Sequence, residues 1–381
     1  MKLIPKKGST LHDFPYSSPR RKCPHFWIIN VTPPGPAHCI HNCLYCYARD
    51  AIYSKFSPDM VVYSNLPELV ERDIKLTYLS PPISISTVSD PCQDVPEVRG
   101  VVKKLISLIM SYRLPFFITT KGDARFLFEL PGFIDYEPKF IATTIEGTPE
   151  ILSLLSPGAP PFYKRLEAVE EISSLGINTI VRLDPLFVHL FYAIYGDEWL
   201  HQVEEIIHRF SLAGAKHVVA STGRLSRRRL PGDRKSSWDR ILGTVTTFSN
   251  AAERRMESEY TFDTEWRGGG LFLRRDLRLK LHAQVKEIVE SYGMTYAVCQ
   301  ELGREADSEG ISSCQRFPLP FSLKQPDGTF NPIPGCTANC HILCRDKKCP
   351  PCGQPLLTQV KPFKISYLRK PFPPHFEEHQ Y

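Results

Sequence analysis

The stretch Cys39-Ile40-His41-Asn42-Cys43-Leu44-Tyr45-Cys46-Tyr47 carries three cysteines with C-x3-C-x2-C spacing. It places three thiolates on one short loop, whereas a cubane iron–sulfur cluster normally takes four. With three thiolates, one iron keeps an open coordination position for a substrate or cofactor. A structural zinc site would need four ligands at tetrahedral spacing, and His38 and His41 lie too close in sequence to complete one comfortably. A disulfide with one odd thiol fits poorly with an intracellular chain.

Length and composition are those of an ordinary globular protein. The 381 residues are enough for one large α/β domain with a smaller appendage, and 42% of them are hydrophobic and 23% charged. No run of about eighteen apolar residues is present, which predicts no membrane span. Residues 1–7 lack the apolar core of a secretory signal peptide, so we expect a cytoplasmic location. The net charge of +6 permits a polyanionic partner without requiring one.

Cysteines and prolines are unevenly distributed along the chain. Eight of the twelve cysteines fall into two groups, one towards each end, which favours metal binding over disulfides. The 34 prolines concentrate at the two ends. Residues 1–25 and 317–381 are therefore predicted to be irregular segments that wrap around a regular core.

Between residues 26 and 221, short apolar runs alternate with helix-length segments. The predicted strands are Phe26–Val31, Ile83–Thr87, Phe116–Thr120, Phe140–Thr144, Thr179–Leu183 and His217–Ser221, and the predicted helices include Pro67–Tyr78, Pro96–Tyr112, Lys164–Leu175 and Glu198–Leu212. This alternation predicts an α/β fold with a parallel sheet and right-handed crossovers. Six such units are too few for the closed eight-stranded barrel. Further on, Ile241–Glu259 and Asp276–Tyr292 are helix-length, and Met294–Val298 is a strand-like run.

The cysteine loop resembles the signature of the radical S-adenosylmethionine (radical SAM) enzymes, including the aromatic residue before the last cysteine. Residues 42–49 look like the cluster loop of the spore photoproduct lyase-like branch, often labelled DNA repair photolyases. Later motifs follow that branch's order: Ser89-Asp90-Pro91, Thr120-Lys121, Thr143-Thr144 and Arg182-Leu183-Asp184-Pro185. The resemblance spans about residues 26–300 and implies a six-stranded, open (βα)6 partial TIM barrel. An irregular segment, 1–25, precedes this domain, and a Cys/Pro-rich metal-binding extension, 301–381, follows it.

The resemblance also implies a mechanism. Cys39, Cys43 and Cys46 would hold a [4Fe–4S] cluster with S-adenosylmethionine (SAM) on the unique iron. A reduced electron donor of the ferredoxin or flavodoxin type would drive reductive cleavage of SAM. The product, a 5′-deoxyadenosyl radical, would abstract hydrogen from a substrate inside the partial barrel, shielded from water.

SAM offers a carboxylate, an amine, a sulfonium and a ribose, so its pocket needs cations and small hydroxyl groups. We expect that pocket to include Tyr45, Ser89, Asp90, Lys121, Thr143, Thr144 and Arg182. Lys121 suits the methionyl carboxylate, Ser89 and Asp90 the amine or ribose, and Thr143 or Thr144 a ribose hydroxyl. Tyr45 is expected to shield the cluster. The alternative is that these polar residues only cap or solvate strand ends, and that Arg182 forms a simple ion pair with Asp184.

One position departs from the family pattern. In spore photoproduct lyase a cysteine precedes the Thr-Ser-Asp run and donates a hydrogen atom to the product radical. Here that run reads Thr87-Val88-Ser89-Asp90, and Thr87 occupies the donor position. Cys92 is our candidate for returning a hydrogen atom, and the alternative is a buried thiol that packs as a small hydrophobe. The substitution weighs against the lyase reaction itself.

A second cysteine group lies near the C-terminus. It consists of Cys336, Cys340, Cys344, Cys349 and Cys352, with a C-x2-C-G turn at its end. This spacing predicts a metal site, either a zinc ribbon-like staple for the proline-rich tail or an auxiliary iron–sulfur cluster. Cys299 and Cys314, just upstream, are further possible ligands.

The segment Gly223–Arg240 holds seven basic residues against two acidic ones, with Trp238 among them. Clustered cations and aromatic residues favour nucleic-acid binding, and the alternative is a solvated surface loop. Our leading hypothesis is a radical SAM enzyme that acts on a nucleic-acid base, in repair or modification. The alternatives are a radical SAM enzyme for a peptide, lipid or small metabolite, and a non-catalytic, zinc-stapled nucleic-acid-binding protein.

Overall fold

The computed structural model describes residues 1–11, 21–51, 54, 57–229, 234–263, 270–345, 347–358 and 364–370. Parts of the two segments predicted to be irregular, at residues 12–20, 346, 359–363 and 371–381, lie outside the described residues. Among the helices of the described ranges, we find none with the length and apolar character that crossing a membrane requires.

A parallel sheet forms the centre of the molecule. The strands are β1 (Lys2–Ile4), β2 (Trp27–Ile29), β3 (Val61–Tyr63), β4 (Leu79–Ser80), β5 (Ile83–Ile85), β6 (Phe116–Thr120), β7 (Lys139–Thr144), β8 (Thr179–Leu183), β9 (His217–Ala220), β10 (Tyr260–Phe262), β11 (Leu271–Leu273), β12 (Thr295–Val298), β13 (Ser322–Lys324) and β14 (Phe330–Pro332). Seven of them pair in parallel in the order β2-β5-β6-β7-β8-β9-β12. The predicted parallel α/β fold is confirmed, and all six predicted strands belong to this sheet.

The predicted count of six strands is wrong. The seventh strand is Thr295–Val298, which pairs in parallel with His217–Ala220 at one edge of the sheet. The sequence predicts Met294–Val298 as a strand-like run, but three helices and an antiparallel pair, β10 and β11, separate it from the preceding strand of the sheet. The regular alternation of strand and helix is therefore interrupted before the last strand, and a count based on that alternation misses it.

The helices are α1 (Tyr47–Asp50), α2 (Leu66–Lys75), α3 (Pro96–Ser111), α4 (Pro149–Leu155), α5 (Phe162–Ser174), α6 (Val188–Tyr195), α7 (Trp199–Leu212), α8 (Ser237–Phe248), α9 (Asn250–Glu259) and α10 (Arg275–Ser291). The helix predicted over Ile241–Glu259 is two helices. Ser249 has an extended backbone (φ −159°), and its hydroxyl accepts a hydrogen bond from the Ala252 amide, so it ends α8 and caps α9.

The two faces of the sheet are both buried, but by different parts of the chain. One face packs on the helices through side chains such as Ile118, Ile141 and Val181, each of which contributes about 1.5–3 kcal/mol. Alternate residues form what we call the inner face: Phe117, Phe140, Ala142, Ile180, Val219 and Ala297. Leu319, Phe317 and the imidazole of His25, which contacts Phe117 edge-on, cover this face.

The terminal segments are more regular than predicted. β1 pairs in parallel with β3, and β13 forms a hairpin with β14 and also pairs with β4. The hairpin turn uses Gly328 at φ +86°, and Asp327 accepts hydrogen bonds from the amide and hydroxyl of Thr329. The sequence does not predict these short strands, because the prolines around them are typical of irregular segments.

Candidate cofactor site at the carboxyl edge of the sheet

The cysteine loop lies between β2 and α1, beyond the carboxyl end of the strand. Its backbone is anchored from separate parts of the chain. The Leu44 amide donates to the Leu155 carbonyl (2.9 Å), the Ile40 amide donates to Gln93 Oε1 (2.8 Å), and Arg240 Nε donates to the Leu44 carbonyl (2.7 Å). The loop is therefore held in place by α4, the β5–α3 connection and α8.

Gly158 makes the closest approach to this loop. Its amide donates to the His41 carbonyl at 3.1 Å. A Cβ atom at this position would lie 1.9 Å from the Ile40 carbonyl oxygen, a distance that no side chain can occupy. Only glycine therefore allows the cysteine loop to pack against the segment that follows α4.

All twelve cysteines lie in described ranges, and none forms a disulfide. Cys39, Cys43 and Cys46 are each half-buried. Burial raises the pKa of Cys39, with further contributions from the charges of Asp90 and Cys43. Burial likewise raises the pKa of Cys43 to about 12, against the opposing charge of Lys121. Cys39 and Cys43 are therefore close enough to influence one another electrostatically.

In the described part of the chain, no three His, Cys, Asp or Glu side chains stand at metal-binding distances from a common point. The three thiols nevertheless fit an iron–sulfur cluster by their chemistry. They are unpaired soft ligands on one anchored loop, and the cation of Lys121 lies beside them. These residues could therefore hold a cluster that takes three protein ligands.

A network of charged side chains lies behind the cysteine loop. The Tyr45 hydroxyl donates to Glu146 Oε1 (2.8 Å), and Arg165 Nη1 donates to Glu146 Oε2 (2.7 Å). Lys121 Nζ lies 5.4 Å from the centroid of the Tyr45 ring. Although burial opposes it, the charges of Cys43 and Glu146 raise the pKa of Lys121. Burial by itself would raise the pKa of Glu146. The positive charges of Arg165 and Lys121 outweigh that effect, so the pKa of Glu146 is lowered.

Sequence reasoning missed Glu146 and Arg165. Glu146 follows β7 within two residues, so a search for charged residues at the carboxyl ends of the strands would have found it. Arg165 lies on α5, and nothing in its local sequence distinguishes it from a surface arginine. Arg165 is nevertheless only 2% exposed, because α5 packs against the sheet, and this packing is not visible in the local sequence.

Asp90 joins three parts of the site. Its carboxylate accepts hydrogen bonds from Thr120 Oγ1 (2.6 Å), the Lys121 amide (2.6 Å) and the Cys92 amide (2.8 Å). His41 Nε2 lies 3.2 Å from the same carboxylate. Burial alone would raise the pKa of Asp90, but His41 and the hydrogen bonds hold it below its usual range. Asp90 thus ties the cysteine loop to the ends of β5 and β6.

The other predicted pocket residues occupy different positions. Ser89 is buried, and its hydroxyl lies 3.1 Å from that of Ser86. Thr144 pairs with Arg182 in the β7–β8 register and shares the inner face with it. Thr143 points to the helix-facing side of the sheet by alternation. The structure therefore brings Thr144 and Arg182 together and separates Thr143 from them.

Arg182 forms the ion pair with Asp184 that the sequence suggested, and it also donates from Nη2 to Cys299 Sγ at 3.2 Å. Its Nη1 atom is buried without a hydrogen-bond partner. The Ser221 hydroxyl donates to Asp184 from the next strand end. Arg182 therefore lies in a polar group at the carboxyl edge that includes a cysteine.

Cys92 lies on the other side of the sheet from this polar group. It is 1% exposed and belongs to the helix-facing core that also contains Val98 and Ile118. Burial raises the pKa of its thiol well above the ordinary value. This position favours the alternative that Cys92 packs as a small hydrophobe.

Four of the five C-terminal cysteines lie close enough to one another to interact electrostatically. Burial raises the pKa values of Cys340 and Cys352, to about 12 for Cys352, and the charges of Cys336 and Cys344 add to both effects. Cys349 is exposed. This group lies near Phe26, at the amino end of β2, because His341 stacks on the Phe26 ring. It is thus at the opposite end of that strand from the cysteine loop.

Hydrogen bonds around Ser226 and Ser237 form a neck that joins the described parts of the basic segment on either side of residues 230–233. The Ser226 amide donates to Ser237 Oγ (2.9 Å), and the Trp238 amide donates to the Ser226 carbonyl (3.1 Å). The Ser237 amide in turn donates to Asp50 (2.9 Å) behind the cysteine loop. Trp238 is buried against Tyr260, so it is unsuitable as a base-stacking platform. Between Ser226 and Ser237, the described basic side chains are all exposed: Arg227, Arg228, Arg229, Arg234 and Lys235.

Comparison with known proteins supports the radical SAM resemblance. No family model matches the chain. A curated relative, the "Radical SAM Nalpha-GlyT isomerase" of Pseudomonas phage M6, is 21% identical over 378 residues, which are 93% of this chain and 75% of that protein. A cysteine-to-serine mutant of spore photoproduct lyase superposes with a TM-score of 0.51 at 15% identity, covering 73% of this chain and 77% of the lyase.

A second mutant of that lyase, with bound AdoMet and dinucleoside spore photoproduct, also gives a TM-score of 0.51, at 14% identity and with 73% and 77% of the two chains covered. The resemblance predicted from the sequence is confirmed: over nearly its whole length the chain is similar to a radical SAM enzyme, and its fold is similar to that of spore photoproduct lyase. That lyase structure holds AdoMet, the cofactor that the sequence predicts for this chain. These similarities favour the radical SAM hypothesis over the non-catalytic, zinc-stapled alternative.

Proposed function

We propose that Cys39, Cys43 and Cys46 hold the [4Fe–4S] cluster at the mouth of an open, partial barrel. The observation that carries this proposal is the position of three unpaired thiols on one anchored loop at the carboxyl edge of a parallel sheet. Ligand sites of open α/β sheets lie at that edge. When bound, the cluster and SAM supply a 5′-deoxyadenosyl radical that abstracts hydrogen from the substrate. A ferredoxin or flavodoxin-type protein is the proposed electron donor.

In this proposal, the residues around the cysteine loop have specific roles. Lys121 balances the negative charge of the thiolates and binds the methionyl carboxylate of SAM. Tyr45, fixed by Glu146, shields the cluster from water, and cluster potential depends on such exposure. Asp90 positions the loop through His41.

Other side chains of the pocket contact the remaining groups of SAM. Ser89 and Thr144 offer hydroxyls for the amine and the ribose, and Arg182 has an unpartnered Nη1 atom for an anionic group. Thr143 points to the helix-facing side of the sheet, so in this proposal it supports the strand end and does not contact SAM.

The proposed substrate is a nucleic-acid base. Five exposed cations on one loop suit a phosphate backbone, and that loop is bonded to α1, directly behind the cysteine loop. Spore photoproduct lyase, whose fold is similar, has been solved with a dinucleoside spore photoproduct. The alternative substrates, a peptide, lipid or small metabolite, would leave the basic loop without a role.

Cys336, Cys340, Cys344 and Cys352 are proposed to bind one metal, zinc or an auxiliary iron–sulfur cluster. These four thiols influence one another electrostatically, whereas Cys349 is exposed and is left out of the set. A metal here would fix the tail against the amino end of β2, since structural metal sites contribute their binding energy to folding.

The first experiment is anaerobic purification followed by iron, sulfide and zinc analysis. Wild-type protein is compared with a Cys39/Cys43/Cys46→Ala variant, and both are assayed for 5′-deoxyadenosine from SAM. We expect the variant to lose about four irons and all 5′-deoxyadenosine formation, while metal at the C-terminal group remains. A Cys92→Ala variant is the matched control and should retain both. Wild-type iron content in the triple variant would show that the cluster ligands lie elsewhere.

A second experiment tests the substrate class. Arg227, Arg228 and Arg229 are changed together to Glu, and binding to single-stranded DNA and RNA is measured over a range of salt. We expect weaker binding and a smaller salt dependence, because phosphate contacts release counterions. Three exposed cations elsewhere are reversed as the control: Lys104, Lys164 and Arg254. Equal binding by wild type and the arginine variant would favour a peptide, lipid or small-metabolite substrate.

A further inference from the structure

Two hydroxyl groups on the inner face of the sheet are buried without a hydrogen-bond partner. They are Ser84 Oγ on β5 and Thr119 Oγ1 on β6, and neither has a partner within the described part of the chain. The whole of Ser84 is buried, whereas Thr119 is half-buried and only its hydroxyl is inaccessible. Burying a hydroxyl group without a partner is unfavourable, so such groups indicate a bound ligand or water.

The strand register places both side chains on the inner face. Ser84 pairs with Phe117 in the β5–β6 ladder. Thr119 is two residues after Phe117 and therefore lies on the same side of β6. It pairs with Ala142 on β7, which also belongs to the inner face. Ile83, the neighbour of Ser84, packs in the helix-facing core, as alternation requires.

The two hydroxyls lie further from the carboxyl edge of the sheet than the residues proposed to bind SAM. Thr119 precedes Lys121 by two residues, which is about 7 Å along the strand. Ser84 lies one step deeper, because it is level with Phe117. A ligand that contacts both hydroxyls would therefore lie deeper in the partial barrel than SAM, in the space proposed for the substrate.

The surroundings of these hydroxyls suit a planar ring. The rings of Phe117 and Phe140 stack with their centroids 4.8 Å apart at 19°, and Phe317 packs on Phe140 at 6.2 Å. Aromatic side chains thus close the amino half of the inner face. Towards β2 the face is less densely covered, since Ile28, which pairs with Ser84, is only half-buried.

The spacing of the two hydroxyls fits one edge of a nucleobase. Neighbouring strands lie about 4.8 Å apart and each residue rises about 3.3 Å, so the Cα atoms of Ser84 and Thr119 are about 8 Å apart. Side chains on one face stand nearly parallel, which gives the hydroxyls a similar separation. Two hydrogen bonds of about 2.8 Å each then leave roughly 2–3 Å between the two ligand atoms that they reach. Neighbouring C=O and N–H groups on the edge of a base have this spacing.

We propose that Ser84 and Thr119 recognise the lactam edge of the substrate base, that is, a C=O group beside an N–H group, as in thymine, uracil or guanine. One hydroxyl donates to the C=O group and the other accepts from the N–H group, since a hydroxyl can do either. This inference rests on the proposed nucleic-acid substrate and names the edge of the base that is read. A site built to bond a substrate N–H group discriminates against an analogue that lacks it.

The test compares an oligothymidylate with the same strand methylated at N3 of every thymine, which removes the N–H group and keeps the carbonyls. Binding to full-length, cluster-loaded protein with SAM present is measured by fluorescence anisotropy under anaerobic conditions. We expect wild type to bind the unmodified strand at least about tenfold more tightly than the methylated strand. In a Ser84→Ala/Thr119→Val double variant this preference should disappear.

Stability measurements separate this role from a structural one. Because the two hydroxyls have no partner in the described protein, the double variant should unfold at the same urea concentration as wild type or at a higher one. Thr179→Val is the matched control, since Thr179 Oγ1 donates to the Ile177 carbonyl at 2.8 Å. It should unfold at a lower urea concentration and keep the preference for the unmodified strand.

Equal binding of the two strands by wild type would overturn the proposal, and this comparison does not depend on the folding of any variant. A preference that persists in the double variant would also overturn it. Weaker SAM binding by the double variant would assign the hydroxyls to SAM instead. Iron content and 5′-deoxyadenosine formation are measured on the same samples. Normal values with equal binding would refute only the recognition of the base edge, whereas the absence of both would refute the proposed function.

Discussion

Replacing Glu146 by Gln tests whether the network behind the cysteine loop is a buried charge cluster. Glu146 is fully buried, and its partner Arg165 has a side chain that is 1% exposed. Gln keeps the shape of the side chain and an oxygen that accepts from Tyr45, so the substitution removes charge and little else. Arg165 is then left as a buried cation without a compensating carboxylate.

Removing one partner of a buried ion pair costs about 3–5 kcal/mol. We expect a loss near the lower value, about 3 kcal/mol, since Arg165 retains three neutral acceptors. These are the Pro160 carbonyl (2.7 Å), the Thr144 carbonyl (2.9 Å) and Ser156 Oγ (2.8 Å). A loss of this size lowers the folding equilibrium constant by roughly a hundredfold.

The assay is urea unfolding of the Glu146→Gln variant under anaerobic, reducing conditions. Glu150→Gln is the matched control, because Glu150 is exposed and accepts a hydrogen bond from the Tyr195 hydroxyl (3.0 Å). It should lose less than about 1 kcal/mol. Adding Arg165→Met to Glu146→Gln should recover part of the lost stability by removing the uncompensated cation. A loss in Glu146→Gln no larger than that of the control would refute the assignment of Glu146 as a charged, paired carboxylate.

Three further predictions concern separate features. Gly158→Ala would place a Cβ atom 1.9 Å from the Ile40 carbonyl oxygen, so we expect it to purify with less iron per chain than wild type, and full iron content would contradict the packing argument. The pKa of Asp90 is lowered in the folded protein, so its stabilisation is complete above the unfolded value of about 3.9 and is lost as the pH falls below that value. Acid unfolding of Asp90→Asn should therefore depend less steeply on pH below 4 than that of wild type. Cys352→Ser should make the C-terminal tail more sensitive to limited proteolysis, whereas Cys349→Ser should not, and equal sensitivity of the two variants would argue against the four-cysteine site.

The regular part of the fold could be predicted from local sequence. Buried parallel strands such as Phe116–Thr120 and Thr179–Leu183 are short β-branched and aromatic runs between helices, and that contrast is visible in any window of the chain. The three cysteines of the cluster-binding loop could likewise be identified from one short stretch of sequence. The sequence predicts Met294–Val298 as a strand-like run but not its place in the sheet, and it does not predict the hairpin Ser322–Lys324/Phe330–Pro332, because the partners of these strands, Leu79–Ser80 among them, are far away in sequence.

The chemistry of the site depends on contacts between distant elements, which one sequence does not reveal. Arg165 and Glu146 meet across an α5–β7 contact, and Cys299 meets Arg182 across two strands. Cys92 shows the converse, since its closeness to Asp90 in sequence says nothing about the face of the sheet on which it lies. Trp238 looked available for base stacking, and only its packing against Tyr260 shows that it is buried.

The hydrogen-bonded neck at Ser226 and Ser237 affects which sequence changes this protein can tolerate during evolution. Because the two ends of the arginine-bearing loop are bonded to each other, a change in loop length alters the loop-closure entropy only slightly, by about 0.6 kcal/mol for each doubling. Ser237 and Arg240 hold the cysteine loop from the helix that follows the neck, so insertions before it leave those bonds in place. Under the proposed function this loop contacts the substrate, so a change in its length or charge would alter substrate recognition without disturbing the bonds that hold the cysteine loop.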